Sequence, residues 1–274
     1  MILILICCFT FLIHASETGA YCLRLSGLKT GQIAIAMSFV TSTLLISRLS
    51  NMFQAPLLGV MVDSTVATGT AAALRHLEMD FRLVIFAAFL GSLAGIMMTP
   101  TLVNLFSAGI RRFLATGSVP QAVAQVFYPH NWKQILACVY IPRPSDFSKI
   151  SLKTIPKKFL LFNIFVTSIY TIGVLCSLLA GAHMPDLRAT AINLSGIVNG
   201  MATILLTIFV DPAGARITDQ TYHGVRPWED AVSVVFFLQM GRLVGTLILA
   251  QILFGPLTCY ITNAAIWVTA IAGH

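Results

Sequence analysis

The chain has 274 residues, of which 57% are hydrophobic and 10% charged, and 17 Lys and Arg against 10 Asp and Glu leave a net charge of +7. A mean hydropathy of +0.86 excludes an ordinary soluble domain and points to an all-α fold, a polytopic integral membrane helical bundle. The apolar stretches are continuous rather than alternating, which excludes a transmembrane barrel.

Residues 1–23 open with MILILICCFTFLIHA and lack a basic n-region, so they read as a retained first helix rather than a signal peptide. His14, Glu17, Tyr21 and Arg24 are spaced three, four and three apart and share one helix face. Such a stripe needs a polar interior to look into. Residues 24–31 read as a short loop carrying Arg24 and Lys29. The second helix covers 32–61 and runs to Asp63. Thirty helical residues reach about 45 Å against a hydrocarbon core of about 30 Å, so the helix tilts, breaks or protrudes. Ser47, Arg48, Asn51 and Gln54 recur at helical spacing, followed by Pro56. An arginine at mid-bilayer costs about 3 kcal/mol and must face protein, water or an anion. An interhelical ion pair and a functional polar cavity both meet that need.

Residues 64–82 read as a near-neutral loop, and 83–110 as a third helix kinked at Pro100, with Gly91 and Gly95 at small-xxx-small spacing. Residues 111–158 form a basic loop with eight Lys and Arg against Asp146. No aromatic-plus-basic module accompanies these charges, so a nucleic-acid partner is rejected. Within the loop, VPQAVAQVFYPHNWKQILACVYI suits an interfacial helix or a solvated connection. The fourth helix spans 159–181, with Asn163, Thr167, Tyr170 and Ser177 near one face. The fifth spans 189–210, carries Asn199 and Thr203, and ends at Asp211-Pro212. Residues 211–230 read as a loop, and 231–254 as a sixth helix bearing Gln239, Arg242 and Thr246. Gly255-Pro256 is expected to break it, leaving 256–272 as an extension, a half-helix or a seventh span; six spans are favoured.

The chain divides into an N-terminal three-helix half (1–110), the basic loop (111–158) and a C-terminal three-helix half (159–274). Residues 51–63 and 199–211 both run from Asn to Asp and share Leu-Leu and Val-Asp in register. That echo suggests a 3+3 inverted repeat, a plan common among transporters. Loops 24–31, 111–158 and 211–230 hold twelve Lys and Arg against three in the remaining loops. This bias makes them cytoplasmic and puts both termini outside. Each basic residue near anionic lipid head groups adds about 1 kcal/mol of attraction, so anionic membrane lipids are expected partners.

The six cysteines lack metal spacing and read as small buried hydrophobes. A chamber holding Arg48 and Arg242 would suit a phosphorylated anion, because guanidinium grips phosphate in a bidentate way. Glu17 and His14 could titrate during a cycle or close a gate; alternatively, Glu17 pairs permanently with Arg24 or Arg48. HExxH, Walker-type and GxSxG signatures are missing, as is an aspartate-rich metal motif. No cofactor or metal is expected. A transporter, a membrane-embedded enzyme acting on polyprenyl-phosphate or phospholipid substrates, and a scaffold or channel stay open at this point.

Three stretches, HASETGAYCLR from His14 to Arg24, LKTGQIA from Leu28 to Ala34 and SRLSNMFQAPLLG from Ser47 to Gly59, resemble the Amj family of bacterial lipid II flippases, the alternative to MurJ. The likeness continues through Phe81–Val84, Gly117–Pro120 and GRLVGT from Gly241 to Thr246, and so covers nearly the whole chain. Ser-Arg-x-x-Asn-x-Phe-Gln-Ala-Pro is its most specific part. The resemblance implies a transporter rather than an enzyme. It would move the undecaprenyl-pyrophosphate-linked disaccharide-pentapeptide of peptidoglycan from the inner to the outer leaflet of the bacterial plasma membrane. It supplies neither functional residues nor an energy source. On that expectation Arg24 and Lys29 receive the pyrophosphate and Arg48 and Arg242 hold it midway. Asn51, Gln54 and Asn199 hydrogen-bond sugar or peptide, Asp63 repels the anion near the outer face, and His14, Glu17, Asp63 and Asp211 couple or gate.

Overall fold

The computed structural model describes residues 1–118, 121, 128, 132–140, 150–153 and 155–271, and among them only helices form regular structure. Six helical segments are long and apolar enough to cross a membrane: Ile2–Thr30, Ile33–Thr68, Ala71–Met97, Lys157–His183, Pro185–Tyr222 and Trp228–Ile271. The chain is a multi-pass helical membrane protein.

The first span is α1 (Ile2–Ala20) followed by α2 (Cys22–Thr30), joined at Tyr21. Residues 24–30 are therefore helical rather than a loop. Ser26 and Thr30 hydroxyls return to carbonyls four residues back, and the turn comes only at Gly31, whose φ of 69° suits a residue without a Cβ. The second span is the single helix α3 (Ile33–Thr68), which runs past Asp63 with Pro56 inside it. Gly69 ends it, and Thr70 caps α4 (Ala71–Met97) by accepting the Ala73 amide. The expected loop at 64–82 thus shrinks to a two-residue turn. Its charges lie on α4 instead, where Glu78 and Arg82 pair at i,i+4 (2.9 Å) and carry the helix beyond its apolar part. Pro100 does not kink a helix. It occupies the first turn of α5 (Thr99–Thr116), which restarts after Met98.

The stretch expected as an interfacial helix falls largely outside the described residues; its described part includes the one-turn α6 (Trp132–Leu136). The fourth span is α7 (Lys157–His183). The fifth opens with the 3-10 turn Pro185–Leu187, continues as α8 (Arg188–Leu205) and a π-helical turn at Leu206–Val210, and ends as α9 (Asp211–Tyr222). Asp211-Pro212 therefore starts a helix rather than ending one, because proline is tolerated in a first turn. The sixth span joins α10 (Trp228–Val244), a π-helical turn at Gly245–Leu249 and α11 (Ala250–Ile271). Gly255-Pro256 does not break it, and residues beyond extend the same helix instead of forming a half-helix or seventh span. Other spans also reach carbonyls in this stretch: Arg82 donates to Gln251 O (3.1 Å) and Cys176 to Phe254 O (3.4 Å).

Each set of three spans is built on its first helix. α1 packs against α3 and α4, and α7 packs against α8, α10 and α11. Glycines make two of these crossings close. A Cβ at Gly91 would meet the Phe11 backbone, and one at Gly95 would lie 2.8 Å from the Thr18 Cβ. In the other set, a Cβ at Gly241 would lie 2.5 Å from Asn163 Nδ2 and one at Gly245 2.9 Å from Ile164 O. Small residues at four-residue spacing let helix backbones approach within the membrane.

The two sets share one dry core, where Ile6, Leu58, Val62, Phe81, Ile172, Phe254 and Ile261 are buried. These residues belong to the end of the bundle away from the last turn of α5 and the first turn of α7. At the other end the core splits into two smaller clusters, one around Ile155, Phe159 and Leu238 and one around Cys22, Leu25 and Val103. Space remains between them.

Candidate functional site

That space is a cavity of about 610 Å³, within the range of small-molecule sites. Its charged lining comes from Glu17 (α1), Arg24 (α2), Arg48 (α3), Asp211 (α9) and Arg242 (α10), with Tyr21, Ser47, Thr167, Tyr170 and Thr203 between them. The helix register explains the gathering, since Glu17, Tyr21 and Arg24 follow one stripe of the first span, and Thr167 and Tyr170 lie three apart on α7. Met37, Val40 and Leu44 of α3 form one apolar wall, and Ala202, Leu206, Pro212 and Ala215 form the facing one. α3 and α8 do not pack along their lengths, so the apolar walls flank a cleft rather than a closed seam.

Three guanidinium groups and two carboxylates line the cavity, which leaves one positive charge uncompensated. Arg24 pairs with Asp211 at 3.3 Å. Arg242, 6% exposed, donates through one nitrogen to a Glu17 carboxylate oxygen and to His14 Nδ1 (3.2 Å). The Nδ1 of His14 is therefore the acceptor, leaving its proton on Nε2. Ser47 Oγ donates to the other Glu17 oxygen at 2.7 Å. Arg242 Nε is buried without a partner. Arg48 is exposed and has no hydrogen bond or ion pair among the described residues, so it is the one cation of the cavity free to take an external anion.

The other expected site residues lie elsewhere. His14 is buried behind Arg242 rather than on the cavity wall. Lys29 is exposed and donates to Asn104 Oδ1 at 2.8 Å. Asn51 is exposed on α3 outside the cavity lining. Gln54 is buried and donates to Thr10 Oγ1 at 2.5 Å between α3 and α1. Asn199 packs over Gly173 with its Oδ1 unpartnered. Asp63 pairs with Arg188 at 2.9 Å at the opposite end of the bundle, tying α3 to the start of α8. Glu17 pairs with Arg242 and not with Arg24 or Arg48. Tyr170, Thr167, Thr203 and Ser47 complete the lining without having been singled out as site residues, although each lies on a polar helical face visible in the sequence. Among the described residues no cluster of His, Cys, Asp and Glu could hold a metal ion.

Comparison with known proteins agrees with the resemblance carried by these segments. The family model Amj, described as "Alternate to MurJ", matches residues 9–265. A curated relative from Bacillus subtilis (strain 168), named "Lipid II flippase Amj", is 38% identical over 261 residues, which cover 95% of each chain. No solved structure matches. The matched stretch contains all six spans in whole or in part and every charged residue of the cavity, and on this footing the chain belongs to the Amj family.

Proposed function

We propose that this protein is a lipid II flippase, a transporter that moves the pyrophosphate-linked cell-wall precursor across the plasma membrane without changing it covalently. Family membership and the named relative support the substrate. The observation that carries the mechanism is Arg48, an unpaired guanidinium in a cavity whose other charges are paired internally. An anionic head group cannot cross hydrocarbon alone, but it can enter such a cavity while its hydrocarbon tail stays in the cleft between α3 and α8. In this reading Arg48 makes first contact with the pyrophosphate, and Tyr170, Thr167 and Thr203 hydrogen-bond the head group.

The basic loop 111–158 is placed in the cytoplasm and both ends of the six-span bundle outside, following the bias in basic residues. The cavity then belongs to the inner half of the membrane, where the precursor is loaded, and the dry core around Phe81, Ile172 and Phe254 seals the outer half. Arg24–Asp211 closes the inner side of the cavity and Asp63–Arg188 latches the outer end. Asp63–Arg188 is exposed on both sides, and such pairs contribute about 0–1 kcal/mol, which suits a latch that must open in every cycle. The matched glycine crossings of α4 on α1 and α10 on α7 favour an inverted 3+3 arrangement in which one half rocks against the other.

The test is complementation of cells lacking their known lipid II flippases, combined with an assay of lipid II exposed at the outer surface. Growth with restored exposure is the expected result. Expression in the membrane without exposure, or covalent change of the precursor by purified protein, overturns the proposal.

A further inference from the structure

The cavity spends one of its carboxylates in an unexpected place. A buried guanidinium that loses its only counter-charge is strongly destabilised, so Arg242 needs an anion at every stage of a cycle. Glu17 fills that need, with its second oxygen fixed by Ser47. Arg242 nevertheless lines the same cavity as Arg48, and its Nε is a buried donor without a partner among the described residues. The site thus holds two cations of different standing: Arg48 is available at once, and Arg242 only to a ligand that outcompetes Glu17.

We infer that Glu17 sets how readily the cavity releases its ligand, as an internal counter-anion that occupies Arg242 until a pyrophosphate displaces it. The inference rests on the flippase reading and names how that site lets its ligand go. A monophosphate offers a single phosphoryl group, which Arg48 takes up, and has no second one with which to contest Arg242. A pyrophosphate has a second phosphoryl group to offer to Arg242, and charge-assisted bidentate contacts of this kind are among the strongest available. Once the ligand leaves, Glu17 returns to Arg242, which drives release and prevents the cavity from holding its cargo. Reach to Arg242 thus separates pyrophosphate from monophosphate, and the Glu17 carboxylate keeps the bound pyrophosphate exchangeable. His14 accepts from Arg242 without adding negative charge, and Asp211 is held by Arg24, so no other acid competes for Arg242 in this arrangement.

The experiment uses the full chain purified in detergent, with farnesyl pyrophosphate and farnesyl monophosphate as probes. Glu17→Gln should tighten pyrophosphate binding by about tenfold, equivalent to about 1.4 kcal/mol, while monophosphate binding changes by less than about threefold. Adding Arg242→Gln should remove the gain. Ser47→Ala, which only frees the Glu17 oxygen, should tighten pyrophosphate binding by about two- to threefold, a shift of about half a kcal/mol, and keeps the question answerable should Glu17→Gln fail to fold. Unchanged or weakened pyrophosphate binding in the soluble variant, an equal gain for the monophosphate, or a gain that survives Arg242→Gln overturns the inference. Surface exposure of lipid II by the unaltered protein is scored separately. Its presence with no gain in the variants sinks only the role of Glu17, and its absence sinks the flippase reading.

Discussion

Replacing Arg48 with alanine separates a ligand-binding arginine from one that holds the bundle together. Its side chain is exposed and has no partner among the described residues, so its loss leaves no buried group unsatisfied. A surface change of that kind alters stability by no more than about 0.5 kcal/mol. The cavity, by contrast, falls from three guanidinium groups against two carboxylates to two against two, and its only uncompensated charge disappears. Charge-assisted hydrogen bonds contribute about 1.5–3 kcal/mol, which corresponds to a loss of about 10- to 150-fold in binding of the anionic head. Two assays run in parallel on Arg48→Ala: thermal unfolding in detergent and outer-surface exposure of lipid II in flippase-depleted cells. The expected outcome is unchanged unfolding with exposure reduced to background. Normal transport by Arg48→Ala, or a variant that loses its fold before its activity, would refute the assignment of Arg48 as the first contact for substrate.

Arg242→Ala should behave in the opposite way, because it strands Glu17 in the interior; thermal unfolding should show a loss of about 3–5 kcal/mol, and Glu17→Gln combined with Arg242→Gln should recover much of it. Gly241→Ala places a methyl group 2.5 Å from Asn163 Nδ2 and pushes that amide off Leu238 O; a cost of about 1–3 kcal/mol from overpacking should appear as a lowered unfolding temperature, and an unchanged one contradicts the close α7–α10 crossing. Asp63→Cys with Arg188→Cys, joined by a short reversible thiol linker in a background where the exposed Cys8 and Cys259 are replaced by serine, should stop lipid II exposure until reductant is added. Transport that continues through the crosslink rules out an outer latch.

Much of the bundle was visible in composition and spacing, and the failures have a common cause. Hydropathy locates apolar crossings, but helices do not stop where hydrocarbon does. Glu78 and Arg82 are polar enough to suggest a loop, yet their i,i+4 spacing supports helix outside the apolar zone. Pro56 and Pro256 both lie inside helices, because a membrane helix packed among its neighbours tolerates a proline that a local rule reads as a break. The cavity was partly legible for the same reason that its stripes were: Glu17 and Arg24 lie on one helical face, and Arg48 stands out as a charge in an apolar run. Partner choice was not legible. Glu17 meets Arg242 across 225 positions of chain, and only the packing of α10 against the first span decides that pairing. Asn51, Gln54 and Asn199 shared the chemistry of a site but not its azimuth, since a polar residue on a membrane helix can serve a neighbouring helix as readily as a ligand.

The cleft between α3 and α8 has a consequence for cargo size. With the tail lying in that cleft, as the proposed reading has it, nothing counts isoprene units, because the tail never has to fit inside protein. Selection then depends on the head alone, and a precursor bearing a much shorter prenyl chain should be carried as readily as one of full length, limited only by how firmly that chain keeps it in the bilayer.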